Sequence, residues 1–545
     1  MSLLSGLIDR FLGLPEAGAP DLAVTRDLRI PMPDGVVLTA DRYRPRGAGP
    51  LPVVLMRTPY GKDKLPSRGA AKVLARHGMQ VVVQNTRGVF GSGGLFSAFH
   101  QEKDDGLATA EWLRGQSWCD GRLAMTGGSY VGFTQWAVGP YLDPPLEAMC
   151  LAVTASEFVS AFYPGGAVSL HNTLTWSALI GTQEQAPLGG LLPNPRQERR
   201  VRRAMAHVPL GASDVAAIGK EVPFLREVAL HAEPGDPFWT LTDHSAAAAK
   251  MTTPTSMVTG WWDLFLPAQL RDFGAQQEAG RRARITIGPW GHDPGSLRTS
   301  VADQVSWLSA HLLGDTAQLH RSPVRLYLQR ANRWLDFDRW PPDPSTPTPL
   351  HLLPGGGLGW EPARSAGSGG SRTFTYDPAR PTPSCGGPLL ALSGARQRDN
   401  REVERRDDVL VYTATPLEGD LDLVGPVSAG VHVRTDTGYA DLFVRLCDVD
   451  PSGVSRNVTD GIVRLPAGET GVVRAQVELH PTGYRFRRGH RLRVQVAGGS
   501  FPRFARNHGT GEPVATAVWT RPTRFEVFHD AVRPSSVSLP VLHGG

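Results

Sequence analysis

The chain has 545 residues, and at about 100–200 residues per domain this length predicts three or four folded units. Hydrophobic residues make up 41% of it, which is enough for sizeable cores. Its 61 glycines and 46 prolines amount to about a fifth of the residues, below the roughly 25–30% typical of low-complexity disorder. This composition excludes a disordered, collagen-like or coiled-coil protein and predicts many turns and a large β content.

The charge and the cysteines exclude several classes of partner and scaffold. The net charge of +5 comes from 57 basic and 52 acidic residues, and no basic block is interleaved with aromatics, so we expect no nucleic-acid partner. The four cysteines stand far apart and form no CxxC pair, which excludes a disulfide framework and a zinc ribbon. They are Cys119, Cys150, Cys385 and Cys447.

The N-terminal segment carries no basic leader, and Asp9 and Arg10 interrupt its apolar run. This pattern predicts a short amphipathic segment and not a secretory signal. No stretch of the sequence approaches the roughly 18 consecutive apolar residues that a membrane helix needs. We therefore expect a soluble, cytoplasmic protein without a membrane partner.

Strand-like and helix-like pieces alternate from residue 23 to about 145. The turn Pro33-Asp34-Gly35 lies between two alternating stretches and predicts a hairpin. Residues 51–57 and 79–85 are short apolar β-branched runs, typical of strands buried on both faces of a sheet. A helix-like stretch separates these two runs, and residues 104–116 form another, so the alternation predicts a parallel α/β sheet.

The middle of the chain interrupts this pattern. Residues 148–247 hold helical stretches broken by Pro and Gly and predict a helical cap inserted into the α/β part. The α/β pattern resumes at 253–263 and 284–290, and a Pro-rich segment at 340–349 marks a boundary. The predicted domains are an α/β core in two parts (1–147 and 248–345), the cap (148–247) and a C-terminal domain (346–545).

The C-terminal domain differs in composition from the part before it. From about residue 408 it consists of short strands with alternating apolar and polar residues, separated by turn signals. This pattern predicts a β-sandwich of the jelly-roll type.

One segment, Met125–Gly132, has the setting of a nucleophile elbow. An apolar strand leads into a turn of small residues around Ser129, and a helix follows. Such a turn exposes the serine hydroxyl above the sheet and directs the next backbone N–H towards a developing oxyanion. The segment departs from the usual G-x-S-x-G pattern, because Val131 stands two residues after the serine and Gly132 three.

A nucleophilic serine needs a base and a group that orients the base. In α/β hydrolases these residues follow in the order Ser, Asp or Glu, His. Asp263 ends a strand-like stretch and His292 directly follows another. Sites of open α/β sheets lie at the carboxyl ends of strands, so we predict that Asp263 and His292 act with Ser129.

Three motifs in this order carry a family resemblance: GGSYVGFTQW, GWWDLF and GPWGHD. Further matching strings extend from RTPYGK near residue 60 to FPRFARN near residue 505. The chain resembles the bacterial cocaine esterase family, which is grouped with X-prolyl dipeptidyl aminopeptidases and α-amino acid ester hydrolases.

The resemblance implies roles for particular residues. Ser129 is the expected nucleophile, His292 the general base and Asp263 the acid that orients it. The expected oxyanion hole combines the Tyr60 hydroxyl with the backbone N–H of Tyr130. No metal or organic cofactor is expected, and no metal-ligand spacing such as HExxH occurs in the sequence.

The resemblance also suggests which residues bind the substrate. Trp176 and Phe265 match positions that line an aromatic acyl pocket, and Phe162 and Tyr163 fall where the family also has aromatics. An apolar pocket suits an uncharged small or aromatic acyl group. An enzyme for free amines would instead need carboxylates, and the candidates are Glu157, Asp236 and Asp243.

We therefore expect a serine hydrolase with an α/β-hydrolase core, an inserted helical cap and a C-terminal jelly-roll β-sandwich. It should cleave carboxylic esters with aromatic or small acyl groups through a Ser-His-Asp triad and an acyl-enzyme intermediate. An X-prolyl dipeptidyl aminopeptidase, an α-amino acid ester hydrolase or a cephalosporin-type acylase stays open as an alternative. A carbohydrate-binding protein with an inactive hydrolase domain is a more distant one. The oligomeric state, including a homodimer, also stays open.

Overall fold

A computed structural model describes residues 9–19, 21–185, 195–233, 235–317, 319, 321–364, 370–390 and 395–543. The first part of the chain contains β1 (Leu22–Pro31), β2 (Val37–Pro45), β3 (Leu51–Thr58), α1 (Leu65–Arg76), β4 (Gln80–Asn85), α2 (Glu102–Arg114), β5 (Cys119–Gly128), α3 (Tyr130–Trp136) and β6 (Ala148–Ala152). The hairpin predicted at Pro33-Asp34-Gly35 joins β1 to β2, which pair antiparallel.

The segment after β6 is helical, as its composition predicts. It contains α4 (Val159–Phe162), α5 (Leu170–Thr182), α6 (Pro195–Ala204), α7 (Ser213–Ile218), α8 (Pro223–Leu230) and α9 (Ser245–Ala248). This segment begins after Ala152, whereas the sequence pattern predicts a cap that begins at residue 148. The reason is that β6 is a fully buried apolar run of five residues, for which periodicity cannot distinguish a strand from a helix.

The sheet is completed by the chain that follows the helical segment. Its elements are β7 (Thr255–Trp262), α10 (Leu266–Glu278), β8 (Ala283–Gly291), α11 (Leu297–Leu308), β9 (Val324–Leu328) and β10 (Arg333–Phe337). The strand order is β1-β2-β4-β3-β5-β6-β7-β8-β9-β10. All pairings from β4 to β9 are parallel, and only the edge pairings are antiparallel. The central strands are buried almost throughout, because helices cover both faces of such a sheet.

The C-terminal part is rich in β structure, which confirms the predicted fold class. It contains β11 (Ser345–Leu353), β12 (Gly357–Gly359), β13 (Ser371–Tyr376), α12 (Arg401–Glu404), β14 (Val409–Thr413), β15 (Leu421–Thr435), β16 (Asp441–Val449), β17 (Ser455–Arg464), β18 (Val473–Phe486), β19 (Arg491–Ala497), β20 (Thr523–Phe528) and β21 (Ser536–Leu542). Buried side chains from most of these strands form one apolar core.

The two sheets are directly connected. The backbone N–H of Gln329, just after β9, donates to the carbonyl oxygen of Gly483 in β18, and Arg485 donates back to the carbonyl oxygen of Gln329. Gly483 packs so closely on Trp261 of β7 that a β-carbon there would lie 2.5 Å from the indole. The C-terminal domain is therefore packed against the strands that carry the candidate site. Among the described residues, no helix is long and apolar enough to span a lipid bilayer.

Candidate active site

Three predicted site residues each follow the last residue of a parallel strand. Ser129 follows β5, Asp263 follows β7 and His292 follows β8. In the sheet these strands lie in the order β5-β6-β7-β8, so their carboxyl ends share one edge. Residues that are 163 positions apart in the chain, such as Ser129 and His292, are thereby brought into contact.

The three side chains form one continuous chain of hydrogen bonds. The Ser129 Oγ lies 3.0 Å from Nε2 of His292, and Nδ1 of His292 lies 2.8 Å from Oδ2 of Asp263. Asp263 is fully buried, and its other carboxylate oxygen accepts the N–H of Phe265 at 2.8 Å. Since a carboxylate only accepts, Nδ1 carries the imidazole proton and Nε2 is free to accept the serine proton.

Ser129 has the strained backbone expected of a nucleophile elbow. Its φ of 55° and ψ of −128° lie in a region that non-glycine residues rarely adopt. The turn is held on both sides: Ser129 N–H donates to the carbonyl oxygen of Ala152, and Thr154 Oγ donates to the carbonyl oxygen of Ser129 at 2.8 Å. Strain of this kind costs about 1–3 kcal/mol and persists only where the surroundings enforce it.

The departure from G-x-S-x-G has a steric explanation. Gly127 has a φ of 148°, and a β-carbon there would lie 2.2 Å from Cγ1 of Val131. A β-carbon on Gly132 would lie 2.4 Å from the side chain of Thr154. The glycine three residues after Ser129 therefore allows α3 to approach the loop that holds the elbow. Thr154 was not predicted from the sequence, because nothing local marks it as a partner of Ser129.

The Tyr60 hydroxyl lies beside the nucleophile. Tyr60 follows β3 and accepts a hydrogen bond from the indole N–H of Trp176 at 3.1 Å. Ser129 is close enough to the phenol to lower the pKa of Tyr60, against the larger effect of burial. Burial raises the pKa of Tyr60 to about 12, so its phenol is protonated at neutral pH. Because the oxygen already accepts from Trp176, the phenolic proton is available to a second acceptor at the site.

The side chain of Tyr130 does not face the nucleophile. Its hydroxyl donates to Glu102 at 2.8 Å and accepts the N–H of Phe99 at 2.9 Å. Glu102 is itself paired with Arg57 at 2.9 Å, and both of these side chains are buried. Burial raises the pKa values of both Tyr130 and Glu102. Of the donor groups of Tyr130, the backbone N–H, directly after Ser129, is therefore the one available to an oxyanion.

The four predicted substrate residues fall into two groups. Phe265 packs edge-on against His292 with 5.5 Å between ring centroids, and Trp176 stacks near-parallel to Tyr130 at 6.0 Å. Phe162 and Tyr163 lie further into the cap core: Phe162 contacts other phenylalanines, and the Tyr163 hydroxyl donates to a backbone carbonyl of α8. The structure thus brings only Phe265 and Trp176 against the triad and its neighbours.

Two further aromatic residues of this region were not predicted from the sequence. Phe158 stacks on Phe265 with 4.0 Å between ring centroids, and Phe99 stacks on both Tyr130 and Trp176. Neither residue follows a predicted strand or lies in one of the family motifs, so no sequence signal distinguishes Phe158 and Phe99 from ordinary core residues.

The candidate carboxylates for a free ammonium group are already engaged. Glu157 accepts from the backbone and hydroxyl of Ser160 and pairs with Arg271. Asp236 accepts the N–H of Phe238 and contacts His231, and Asp243 accepts the N–H of Ser245. These are roles in local structure. The part of the chain that the structure describes also contains no group of three or more His, Cys, Asp or Glu side chains that could hold a metal ion.

Comparisons with known proteins identify the family of the chain. A family model described as X-Pro dipeptidyl-peptidase (S15 family) matches residues 34–294, and one described as the X-Pro dipeptidyl-peptidase C-terminal non-catalytic domain matches residues 320–538. The chain is 31% identical to the cocaine esterase of Rhodococcus sp. (strain MB1 Bresler), over 95% of this chain and 99% of that protein.

Two solved structures share the fold over nearly the whole chain. An aminopeptidase from the marine sediment archaeon Thaumarchaeota archaeon has a TM-score of 0.80, and an α-amino acid ester hydrolase has one of 0.81. Each is 23% identical, and each comparison covers 97% of this chain and 98% of the other. Fold and comparisons together define a serine hydrolase built from an α/β core and a β-rich C-terminal domain. The chain belongs to the cocaine esterase-like family, within the X-Pro dipeptidyl-peptidase (S15) group.

The loop that holds the elbow gives a testable pH dependence. Asp272 in α10 is buried and bonds both the N–H (2.8 Å) and the hydroxyl (2.5 Å) of Ser156, two residues after Thr154. Burial raises the pKa of Asp272 from 3.8 to about 7. At pH values between these two pKa values, Asp272 is protonated in the folded protein and ionised in the unfolded chain. The contribution of Asp272 to the free energy of unfolding therefore falls as the pH rises.

We expect Asp272→Asn to remove this loss, because the amide reproduces the hydrogen bonds of the protonated acid. The variant should gain stability relative to the native chain as the pH rises: the difference between their free energies of unfolding should increase by about 2–3 kcal/mol from about pH 5 to pH 8. Denaturant titrations at several pH values measure it. Ser156→Ala keeps the carboxyl and should keep the pH dependence. A difference that is constant with pH would contradict the assignment.

Proposed function

We propose that this protein hydrolyses carboxylic esters of small molecules through an acyl-enzyme intermediate on Ser129. The observation that carries the proposal is the uninterrupted hydrogen-bond chain from buried Asp263 through His292 to Ser129. A nucleophile, a base and a group that orients the base are the minimum that such chemistry requires.

In the proposed mechanism Nε2 of His292 takes the Ser129 proton while Oγ attacks the ester carbonyl carbon. The carbonyl oxygen becomes an oxyanion that accepts from the Tyr60 hydroxyl and the Tyr130 N–H. Each such donor contributes about 2.7–4 kcal/mol of transition-state stabilisation. Collapse breaks the bond to the alkoxy oxygen, which leaves as the alcohol with the proton from His292. A water molecule then attacks the acyl-enzyme by the same route and releases the acid.

The surroundings of the triad favour an uncharged acyl group. Phe265 packs on His292, and Trp176 approaches the Tyr60 hydroxyl, so the near surface is aromatic. Carboxylates near these rings are neutralised by partners, with Glu102 on Arg57 and Glu157 on Arg271. A substrate ammonium group would therefore have to compete with an arginine, which favours benzoyl or small aliphatic esters over amino acid esters.

A substrate panel tests this preference. We expect 4-nitrophenyl benzoate and butyrate to be hydrolysed with kcat/KM at least about tenfold higher than a phenylalanine ester with a free amine, since burying an unpaired ammonium is costly. The matched control is the N-acetylated phenylalanine ester, which lacks the charge.

Higher turnover of the free amine, or of an X-Pro-peptide or a cephalosporin side-chain amide, would replace the proposal with the aminopeptidase, amino acid ester hydrolase or acylase alternative. Glycan binding without any turnover would favour the carbohydrate-binding alternative.

Covalent labelling tests the triad without knowledge of the substrate. We expect a fluorophosphonate probe to modify Ser129, as located by peptide mapping, and to label Ser129→Ala not at all and His292→Ala far more slowly. Ester hydrolysis by either variant should fall by about three orders of magnitude or more. Ser452→Ala, an exposed serine of the C-terminal domain, is the matched control and should behave as the native chain. An adduct elsewhere, or near-normal hydrolysis by Ser129→Ala, would refute the assignment.

The oxyanion role of Tyr60 predicts a selective loss of kcat. Tyr60→Phe keeps the ring and removes the donor, so we expect kcat to fall about a hundredfold with KM changed only slightly. Trp176→Phe is the matched control, because it removes the indole that bonds Tyr60 but leaves the phenolic donor in place. It should lower kcat much less. A decrease under about threefold in Tyr60→Phe would leave stabilisation of the oxyanion to backbone donors.

A further inference from the structure

A side chain of the C-terminal domain contacts the loop that presents the triad acid. Nε2 of His480, in β18, lies 3.2 Å from the backbone carbonyl oxygen of Asp263. The same carbonyl oxygen accepts the N–H of Leu266 at the start of α10, also at 3.2 Å. His480 is thus a second donor to the peptide group of Asp263, and it belongs to a different domain from the three triad residues.

A β-bulge carries this side chain. Gly425 of β15 is opposite Thr482, and Val427 is opposite Leu479. Pro426 on β15 therefore faces two residues of β18, His480 and Pro481. A bulge of this kind bends its strand and changes the direction of the side chains, and bulges are over-represented next to active sites.

The backbone at the bulge is held from its other side by β17. Thr459 Oγ donates to the carbonyl oxygen of His480 at 2.5 Å. A β-carbon on Gly461 would lie 2.1 Å from the carbonyl oxygen of Glu478, so β17 and β18 pack without an intervening side chain. The backbone that carries the His480 ring is therefore held by β15 and β17, independently of the loop that the ring contacts.

The surroundings of His480, above all its burial, keep the ring neutral. Burial, followed by the positive charge of Arg503, lowers the pKa of His480 to about 4, although Asp460 and the triad Asp263 oppose this. Arg503 and Arg445 both pair with Asp460, which partly cancels the effect of that carboxylate. A neutral imidazole has one N–H, and because Nε2 faces a carbonyl oxygen, which only accepts, the proton lies on Nε2.

We propose that His480 is a positioning residue for the triad: its Nε2–H holds the Asp263 peptide so that the carboxylate stays directed at Nδ1 of His292. The inference rests on the proposed function of Ser129, Asp263 and His292. It assigns to the C-terminal domain a part in catalysis, although His480 itself touches neither substrate nor reacting atoms. A misdirected acid leaves His292 in the wrong tautomer or orientation and so reduces kcat and not substrate binding.

The test compares His480→Phe, which keeps a ring and removes the donor, with His480→Gln, whose amide N–H can replace it. We expect kcat for 4-nitrophenyl benzoate to fall at least about tenfold in the Phe variant with KM within about twofold, and the Gln variant to recover most of the loss. The downfield proton NMR signal of His292 Nδ1–H, identified by its absence in His292→Ala, should shift or broaden in the Phe variant only. His490→Phe removes a buried histidine of the same domain, which pairs with Asp448, and should lower the melting temperature without moving this signal.

An unchanged kcat and an unchanged signal in a folded His480→Phe variant would overturn the proposal. Equal losses in the Phe, Gln and His490→Phe variants would also overturn it, since the effect would then be one of domain packing. The NMR signal reports the contact of His292 with Asp263 without any substrate. It therefore tests the positioning role separately from the proposed function, which fails instead if Ser129→Ala keeps its hydrolytic activity.

Discussion

The hydrogen-bond chain from Asp263 through His292 to Ser129 depends on the parallel pairing of β5 through β8, because only that pairing brings the three strand ends to one edge of the sheet. The surrounding structure supports this edge from several directions. The strained Ser129 backbone is held by the loop after β6, whose Thr154 donates to it. In turn, Asp272 of α10 holds that loop through Ser156.

Below the elbow lies a polar group that carries no chemistry of its own. Arg57 pairs with Glu102, the Tyr130 hydroxyl donates to Glu102, and all three side chains are buried. A buried pair of this kind adds little net stability but becomes costly when one partner is missing, so it favours a single arrangement. Its effect here is to direct the Tyr130 side chain away from the nucleophile, which leaves the adjacent backbone N–H unobstructed. The C-terminal domain acts comparably from the opposite side, through His480 on Asp263 and Arg396 on Asp293, the residue after His292.

The sequence was informative where chemistry follows local pattern. Apolar runs ending at Ser129, Asp263 and His292 indicated strands, and the order of these residues indicated a hydrolase, because a strand end is a local feature with a fixed place in an open α/β sheet. The alternation of apolar and polar residues after residue 408 indicated the β-rich domain, because successive side chains of a strand point to opposite faces of the sheet. The pattern was insufficient at β6, where five buried residues lack a period, and for Phe162 and Tyr163, because aromatics of a core and of a pocket look alike in a sequence.

By itself, then, the sequence determined the α/β class, the β-rich C-terminal part, the family and the three residues at the strand ends. Each of these can be predicted from short-range periodicity or from short motifs. Only the tertiary structure decided what surrounds them: that Tyr130 faces Glu102, that Thr154 supports the elbow, and that His480 reaches Asp263 from 217 positions away. The physical reason is that a hydrogen bond depends on distance and direction in space, and a bulge or a cap helix sets both without leaving a pattern near the residues that it aligns.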